Sequence, residues 1–226
     1  MLPLRESLLT KTKDKITKAP DTISVEDIRD KLLNSGWYKF ISYNNDDTDN
    51  WFTIYKKYGK WIVDVHCKVF CYGTPDGMIT DGSFRFGTID CGFDVTAPHG
   101  SSKIKSLTYG PVTVKGNYSI WNADKLTNLK DCPKHIYDGI IIHNTSINTL
   151  KYFPIWVAGS LLINDNKNLK GVKDTKFSRV ECRRVEIRNN GFTSTELTYR
   201  ELNWDMPYGL GGFRFDKSIA SPEFNK

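Results

Sequence analysis

Residues 106–169 contain three similar segments, which read SLTYGPVTVKGNYSIWNADKL (106–126), NLKDCPKHIYDGIIIHNTSI (128–147) and TLKYFPIWVAGSLLINDNKNL (149–169). Their prolines are Pro111, Pro133 and Pro154, spaced by 22 and 21 residues. Each segment continues with a glycine, an isoleucine and, two residues after the isoleucine, Asn or Asp. A repeat of this length is typical of solenoid proteins, whose successive coils stack and bury a shared core.

The second half of each segment predicts a short strand, at residues 117–121, 139–143 and 160–164. Because side chains alternate along a strand, every second residue points inward. The inward residues are Tyr118 and Ile120, Ile140 and Ile142, Leu161 and Ile163, and, in a degenerate last repeat, Val185 and Ile187. With neighbouring strands about 4.8 Å apart, Ile120, Ile142 and Ile163 are expected to form one apolar column.

Two further positions of the repeat are interpreted as structural. Asn122, Asn144 and Asp165 follow the strands. A short polar side chain there can hydrogen-bond the turn backbone or the equivalent side chain of the next coil. The prolines begin the return arm of each coil, where their fixed φ is tolerated.

The pattern resembles leucine-rich repeats of the short bacterial and phage-encoded type, over about residues 105–192. The matching residues are Leu129, Pro133, Ile140, Ile142, Asn144 and Ile147, and then Leu150, Pro154, Leu161, Ile163, Asp165 and Leu169. The polar opening from Glu6 to Lys15 is similar to that of uncharacterised phage proteins. The resemblance implies a phage-encoded binding protein, which would bind or inhibit a host factor or attach to the virion.

Residues 23–90 predict an α+β module, in which a helix packs on an antiparallel sheet. A helix is predicted over residues 25–34. Ser24 is a good N-cap, Asp27 completes a capping box with it, and Gly36 is the expected stop.

The strands of this module are predicted at residues 37–43, 51–57 and 60–72. The last two form a hairpin around Tyr58-Gly59. Alternation along residues 60–72 places Cys67 and Cys71 on the buried face and His66 on the opposite face.

The predicted fold class is therefore α+β: an N-terminal helix with an antiparallel sheet, followed by a β-rich, leucine-rich-repeat-like solenoid. The predicted parts are a polar basic tail (1–22), the α+β module (23–90), the solenoid (91–192) and a C-terminal cap (193–226). Residues 91–95 and 185–189 match the repeat only in part, as terminal coils do.

The chain has 226 residues and a net charge of +6. Residues 101–192 hold 15 Lys and Arg against 7 Asp and Glu, so the positive charge belongs to the repeats. A basic scaffold favours acidic partners, although basic turns also keep a solenoid soluble.

Five cysteines without a CxxC pattern favour free thiols in a reducing compartment. No apolar run is long enough to span a bilayer, and the polar N-terminus lacks the core of a secretory signal. The predicted location is cytoplasmic, in a host cell or virion, without a membrane partner. The oligomeric state is left open.

The candidate protein-binding residues are the outward positions of the repeat strands. They are Ser119, Trp121, Ile141, His143, Leu162, Asn164 and Arg188, and Glu186 is a further outward position. Trp121, Ile141 and Leu162 are apolar where water is expected, and an exposed apolar row with a polar rim marks a protein contact. The alternative is that a terminal segment covers the row. The favoured function is non-enzymatic recognition of an acidic protein, without a cofactor.

Binding of nucleic acid through the basic repeat face is the alternative function. The candidate residues are Arg179, Arg183, Arg184 and Arg188, the densest basic cluster. Arginine suits phosphate, and bases stack on aromatic rings such as those nearby. No recognised nucleic-acid motif accompanies the cluster.

No catalytic or metal site is predicted. The sequence lacks GxSxG, GxxxxGK[ST] and GxGxxG. The acidic run Asp46, Asp47 and Asp49 lacks the glycine and distal glutamate of an EF-hand loop, so a solvated turn is the interpretation. An enzyme within residues 23–90 is the least favoured hypothesis.

Overall fold

The structure is a computed structural model that describes residues 23–42, 47–97, 99–170, 179–180, 184–188, 190–191 and 213–215. This part of the chain is mostly β, with one short α-helix and a β-solenoid of about five turns. The helix α1 is Val25–Asn34, and a 3₁₀ turn covers Thr48–Asn50. The strands are β1 Tyr38–Ile41, β2 Phe52–Lys57, β3 Lys60–Val65, β4 Lys68–Cys71, β5 Arg85–Ile89, β6 Phe93–Val95, β7 Thr113–Val114, β8 Tyr118–Trp121, β9 His135–Ile136, β10 Ile140–His143, β11 Trp156–Val157, β12 Ser160–Asn164, β13 Arg179–Val180, β14 Arg184–Arg188 and β15 Phe213–Phe215. The predicted tail, and the predicted cap apart from β15, lie outside the described residues.

Two sheets enclose one apolar core. Sheet A has the order β1-β4-β6-β8-β10-β12-β14-β15, and sheet B has the order β13-β11-β9-β7-β5-β3-β2. Strands pair in parallel except at the N-terminal end, where β1 is antiparallel to β4 and β2 is antiparallel to β3. Each turn of the solenoid therefore gives one strand to each sheet.

The predicted apolar column is confirmed. Ile142 lies between Ile120 and Ile163 in the parallel register of sheet A, and all three side chains are 0% exposed. The equivalent inward residues Tyr118, Ile140 and Leu161 are buried as well. Burying one such aliphatic side chain contributes about 1.5–3 kcal/mol. Because the neighbouring coils provide this burial, a coil is stable only within the stack.

The return arms of the coils also contain strands, which the sequence pattern does not reveal. The three prolines are buried and stand two residues before β7, β9 and β11. In each of these two-residue strands one side chain fills the core, namely Val114, Ile136 or Val157. A leucine-rich repeat instead pairs its strand with a helix or a 3₁₀ segment. Membership of that family therefore stays a prediction.

The prediction for α1 is confirmed. The Ser24 hydroxyl accepts the Asp27 N–H at 3.0 Å, and the Asp27 carboxylate accepts the Ser24 N–H at 2.8 Å. Gly36 follows the helix with φ 73°, which a residue without Cβ adopts freely. The helix buries Ile28 and Leu32 in the core.

The single strand predicted over residues 60–72 is wrong. β3 and β4 belong to different sheets, and the chain turns between them at His66 and Cys67. Cys67 stays buried at this corner and His66 stays exposed, so the alternation continues without a break. A corner that preserves the alternation is indistinguishable in sequence from one long strand. The hairpin turn itself is confirmed, because Tyr58 and Gly59 both have positive φ, as a primed turn requires.

The strands predicted for the N-terminal module join the solenoid. β3 is parallel to β5, and β4 is parallel to β6, so the stack begins one turn before residues 91–95. The antiparallel strands β1 and β2 end two different sheets rather than forming a sheet of their own. At the other end β14 stacks on β12, as predicted for a degenerate coil, and β15 pairs with β14.

Candidate functional site

The surface predicted from the sequence is the sheet-A face, formed by Ser119, Trp121, Ile141, His143, Leu162 and Asn164. The register brings these residues together in two outward columns, one starting at Ser119 and the other at Trp121. Ser119 is only 4% exposed, and the other five are half-buried. Their role in protein binding stays a prediction. Arg188 continues the second column along the backbone.

Contacts between coils hold several side chains of the sheet-A face in place. The rings of Trp121 and His143 have centroids 5.0 Å apart. His143 Nδ1 lies 3.2 Å from the Asp165 carboxylate. The Asn164 amide donates to Glu186, which is 2% exposed, at 3.4 Å. The face is therefore ordered, but it offers less free apolar surface than the sequence suggests.

The most exposed large apolar side chains among the described residues belong to sheet B and its corners. They are Tyr55, Tyr58, Tyr109, Val112, Tyr137, Tyr152 and Ile155.

Five residues of adjacent coils form the sheet-B face: Val112, Lys134, Tyr137, Ile155 and Trp156. The Lys134 N–H donates to the Val112 carbonyl at 3.1 Å, and the Ile155 N–H donates to the Lys134 carbonyl at 3.0 Å, so these three are direct neighbours. Tyr137 packs edge-on against Trp156 with ring centroids 4.4 Å apart. Val112, Lys134 and Ile155 each follow a repeat proline, so alignment on the prolines was the signal that could have located this face.

A hydrogen-bonded chain joins four side chains on the outside of sheet B. The Thr53 hydroxyl lies 2.8 Å from His66 Nε2, and His66 Nδ1 lies 2.5 Å from Asp90. The other oxygen of Asp90 is 2.7 Å from the Lys115 ammonium. Burial raises the pKa of Asp90, but the hydrogen bonds from Lys115 and His66 outweigh burial and leave this pKa below its usual value.

Thr53, His66 and Asp90 are hydrogen-bonded in the hydroxyl–imidazole–carboxylate order of a catalytic triad. With Nδ1 donating to Asp90, Nε2 of a neutral ring accepts the Thr53 hydroxyl. However, the His66 and Asp90 side chains are 41% and 32% exposed, and Lys115 already neutralises the carboxylate. We therefore assign these four hydrogen-bonded side chains a structural role, in which they connect the edge strand β2 to three coils. The sequence does not reveal these contacts, because the coils that supply them share no repeat pattern.

The register separates the predicted arginine cluster. Arg179 lies on β13 in sheet B, whereas Arg184 and Arg188 lie on β14 in sheet A. Arg183 is outside the described residues. Nucleic-acid binding through these four arginines stays a prediction.

Two of the cysteines and part of the acidic run have local structural explanations, and Asp46 lies outside the described residues. Burial raises the pKa of Cys67 and of Cys71 to about 12, and a thiol must lose its proton to bind a metal. Asp47 caps the 3₁₀ turn by accepting the Asp49 N–H at 3.0 Å, and Asp49 pairs with Arg29 at 2.7 Å. Within the described residues, no cluster of three or more His, Cys, Asp or Glu is placed to hold a metal ion. No helix in the described part is long and apolar enough to cross a membrane.

Comparison with known proteins adds no relative: no protein-family model, no curated protein and no solved structure matches this chain.

Proposed function

We propose that the protein is a non-enzymatic recognition scaffold that binds an acidic protein segment through the sheet-B face. The observation that carries the proposal is the exposure of Val112, Tyr137 and Ile155, at 40%, 51% and 45%, around Lys134 on adjacent coils. Clustered apolar side chains with a polar rim are typical of protein contacts. Tyrosine and tryptophan are also enriched among the residues that dominate binding energy.

Charge supports an acidic partner. Residues 101–170 hold 9 lysines and 4 aspartates, and all of these lysines are exposed. Complementary charge mainly increases the association rate and the specificity of a complex. The apolar centre would then provide affinity, while the surrounding lysines would select the partner.

Rigidity supports recognition rather than a catalytic cycle. Each short strand of sheet B from β7 to β11 is hydrogen-bonded to neighbours on both sides, and Tyr137 is held against Trp156. A preorganised surface loses less conformational entropy on binding. In the setting that the sequence resemblance implies, the partner is a host protein, and attachment to a virion is the alternative.

Affinity capture with matched variants tests the proposal. The sheet-B variant is Tyr137→Ser with Ile155→Ser, and the control is Trp121→Ser with Ile141→Ser on the sheet-A face. Each pair removes one aromatic ring and one isoleucine. Wild type and both variants are immobilised, incubated with one bacterial lysate and compared by quantitative mass spectrometry, after circular dichroism has shown that all three are folded.

The proposal requires an acidic protein that wild type and the control retain and that the sheet-B variant loses about tenfold or more, as expected when a binding hot spot is removed. Equal retention by all three proteins would disprove it. Loss on the control alone would assign binding to the sheet-A face and also disprove the proposed surface.

A further inference from the structure

A cleft of about 340 Å³ lies beside the β2–β3 hairpin, and its charged lining residues are all cations. They are Lys56, Lys60 and Arg85, and the cleft also contains the rings of Trp61 and Tyr109. Among the described residues, none of these three cations forms an ion pair. The cleft is therefore positive without internal neutralisation.

Arg85 gives a second indication of a ligand. Its Nε atom is buried and has no hydrogen-bond partner within the described structure. A buried donor without an acceptor is unfavourable, and such groups in folded proteins call for a water, an ion or a functional explanation. Arg85 lines the cleft, and a shift of its side chain toward an anionic oxygen there would give this donor a partner.

The aromatic walls of the cleft are held in place. The Trp61 indole donates to the Ile23 carbonyl at 3.2 Å, and the Lys56 ammonium lies 4.5 Å from the centre of the Trp61 ring. Tyr109 is 40% exposed and sits against Gly82, where a Cβ would come within 3.2 Å of the tyrosine ring. Fixed rings can stack with a planar ligand at little cost in conformational entropy.

A second cleft, of about 480 Å³, continues on the other side of Lys60 and Arg85. It adds Lys57, Tyr55 and Tyr58, and Tyr58 is 93% exposed at the hairpin tip. It also contains one carboxylate, Asp64, which accepts the Thr88 N–H at 2.6 Å. Together the two clefts contain four cations, Lys56, Lys57, Lys60 and Arg85, beside several aromatic rings and the single carboxylate of Asp64. This composition is typical of grooves that bind single strands, in which cations follow the phosphates and rings stack on the bases.

We propose that these two clefts, the hairpin clefts, bind single-stranded nucleic acid. Lys60 and Arg85 bind a phosphate at the point that the clefts share. Tyr109 and Trp61 receive a base on one side, and Tyr55 and Tyr58 receive the next base on the other. Val112 of the sheet-B face also lines the second cleft. The variants that test the clefts change no residue of the sheet-B face, so failure of this proposal and failure of the proposed function are distinguishable.

Fluorescence anisotropy with a labelled single-stranded DNA of ten nucleotides, at low salt and with the full chain, tests the proposal. The charge variant is Lys60→Gln with Arg85→Gln, and Lys60→Gln alone changes only an exposed side chain if the double variant misfolds. The ring variant is Tyr109→Asn, because asparagine tolerates the φ of 64° at this position. The matched control is Lys125→Gln with Lys167→Gln, which removes two exposed charges that follow sheet-A strands.

The charge variant is expected to bind about tenfold more weakly and to lower the salt slope by about 1.4, since each single-strand phosphate contact contributes about 0.7. The ring variant is expected to lose about tenfold in affinity through lost stacking. The control is expected to change affinity less than about twofold, because Lys125 and Lys167 lie outside the hairpin clefts and act on the DNA mainly through long-range attraction. Lys60→Gln alone should lower the slope by about 0.7.

Four results would overturn the proposal. They are no binding at low salt, equal loss in the control and the charge variant, displacement of the DNA by polyphosphate as effectively as by unlabelled DNA, and equally strong competition by a free mononucleotide. The third would mean that charge alone is recognised, and the fourth that the ligand is a nucleotide rather than a strand.

Discussion

Two buried tyrosines of the core differ in one hydrogen bond. The Tyr38 hydroxyl donates to the Ile79 carbonyl at 2.6 Å. The Tyr118 hydroxyl is buried and has no partner in the described structure, although its ring stacks on Phe93 with centroids 5.9 Å apart. The ring of Tyr118 therefore stabilises the core while its hydroxyl opposes that contribution.

Tyr118→Phe should stabilise the protein by about 1 kcal/mol, because it removes an unsatisfied buried polar group and keeps the ring. Tyr38→Phe should destabilise it by about 1–3 kcal/mol, since it leaves the Ile79 carbonyl with only a weak donor, the Cys71 thiol at 4.0 Å. Urea unfolding of both variants measures the two free energies. Destabilisation by Tyr118→Phe would contradict the account of this site.

The thiols of the core should be unreactive in the folded protein. Burial raises the pKa of Cys67 and Cys71 to about 12 and raises the pKa of Cys132 as well. Because the thiolate is the reactive form, a thiol reagent at pH 8 should modify half-buried Cys91 first. The measurement uses mass spectrometry on a Cys182→Ser background. Unfolding in urea should make the thiols of Cys67, Cys71 and Cys132 reactive as well. Early modification of Cys71 would show that the core opens there.

At the scale of the element, polar side chains that follow the sheet-A strands hydrogen-bond from one coil to the next. Asn144 donates to Asn122 at 2.8 Å, as predicted for stacked copies, and both have positive φ. A second, buried set of such hydrogen bonds was not predicted. The Asn166 side chain accepts the Thr145 N–H at 3.0 Å and donates to the Ile142 carbonyl at 3.1 Å and the Asn164 carbonyl at 3.0 Å.

Asn166→Leu should cost about 3 kcal/mol or more, because it leaves the buried Thr145 N–H and hydroxyl without their acceptor at about 1–3 kcal/mol each. The Asn164 carbonyl keeps its bond from the Asn144 N–H at 3.1 Å. Asn144→Gly is the matched control. It removes an exposed side-chain bond and suits the left-handed backbone, so its effect should stay within about 0.5 kcal/mol. Thermal and urea unfolding measure the change in the free energy of unfolding for both variants. Equal changes would show that the buried hydrogen bonds of Asn166 stabilise the fold no more than the exposed bond of Asn144.

The hydrogen-bonded side chains of Thr53, His66, Asp90 and Lys115 predict that the stability of the fold depends on pH. The pKa of Asp90 is lower in the folded state than in the unfolded state, so its carboxylate stabilises the fold above about pH 4 and this stability is lost as the pH falls through the folded pKa. Asp90→Asn should therefore be less stable than wild type at pH 7, and the difference should shrink toward pH 3. Asp124→Asn, at an exposed site, is the control. A difference that grows in acid would contradict this reading.

Local signals explain how much of the fold the sequence predicts. The capping pair of α1 and the isoleucine alternation of β8, β10 and β12 act within a few residues, and both predictions hold. The two-residue strands of sheet B are too short to show an alternating pattern in the sequence. The corner at His66 preserves the alternation, so the sequence does not reveal that the strand ends there. The sheet-A neighbours could be predicted because they occupy one repeated position. The contacts of Thr53, His66 and Asp90 could not, because only the stacking of dissimilar coils brings them together.

At the scale of the whole molecule, the N-terminal edges of both sheets are protected. β1 ends sheet A and contacts α1, which covers that end of the core. β2 ends sheet B and carries exposed Lys56 and Lys57. Charged edge strands discourage pairing with another chain. Both N-terminal edges are therefore poor templates for pairing with a strand of another chain.

The central claim is that successive coils stack in register, and methyl NMR tests it directly. In protein with ¹³C-labelled isoleucine δ1 methyl groups, assigned by Ile→Val substitution, strong NOEs should connect Ile120 with Ile142 and Ile142 with Ile163, because neighbouring strands are about 4.8 Å apart. The NOE between Ile120 and Ile163 should be weak or absent at about twice that spacing. Missing NOEs for both adjacent pairs would contradict the stacked solenoid and every surface assigned to it.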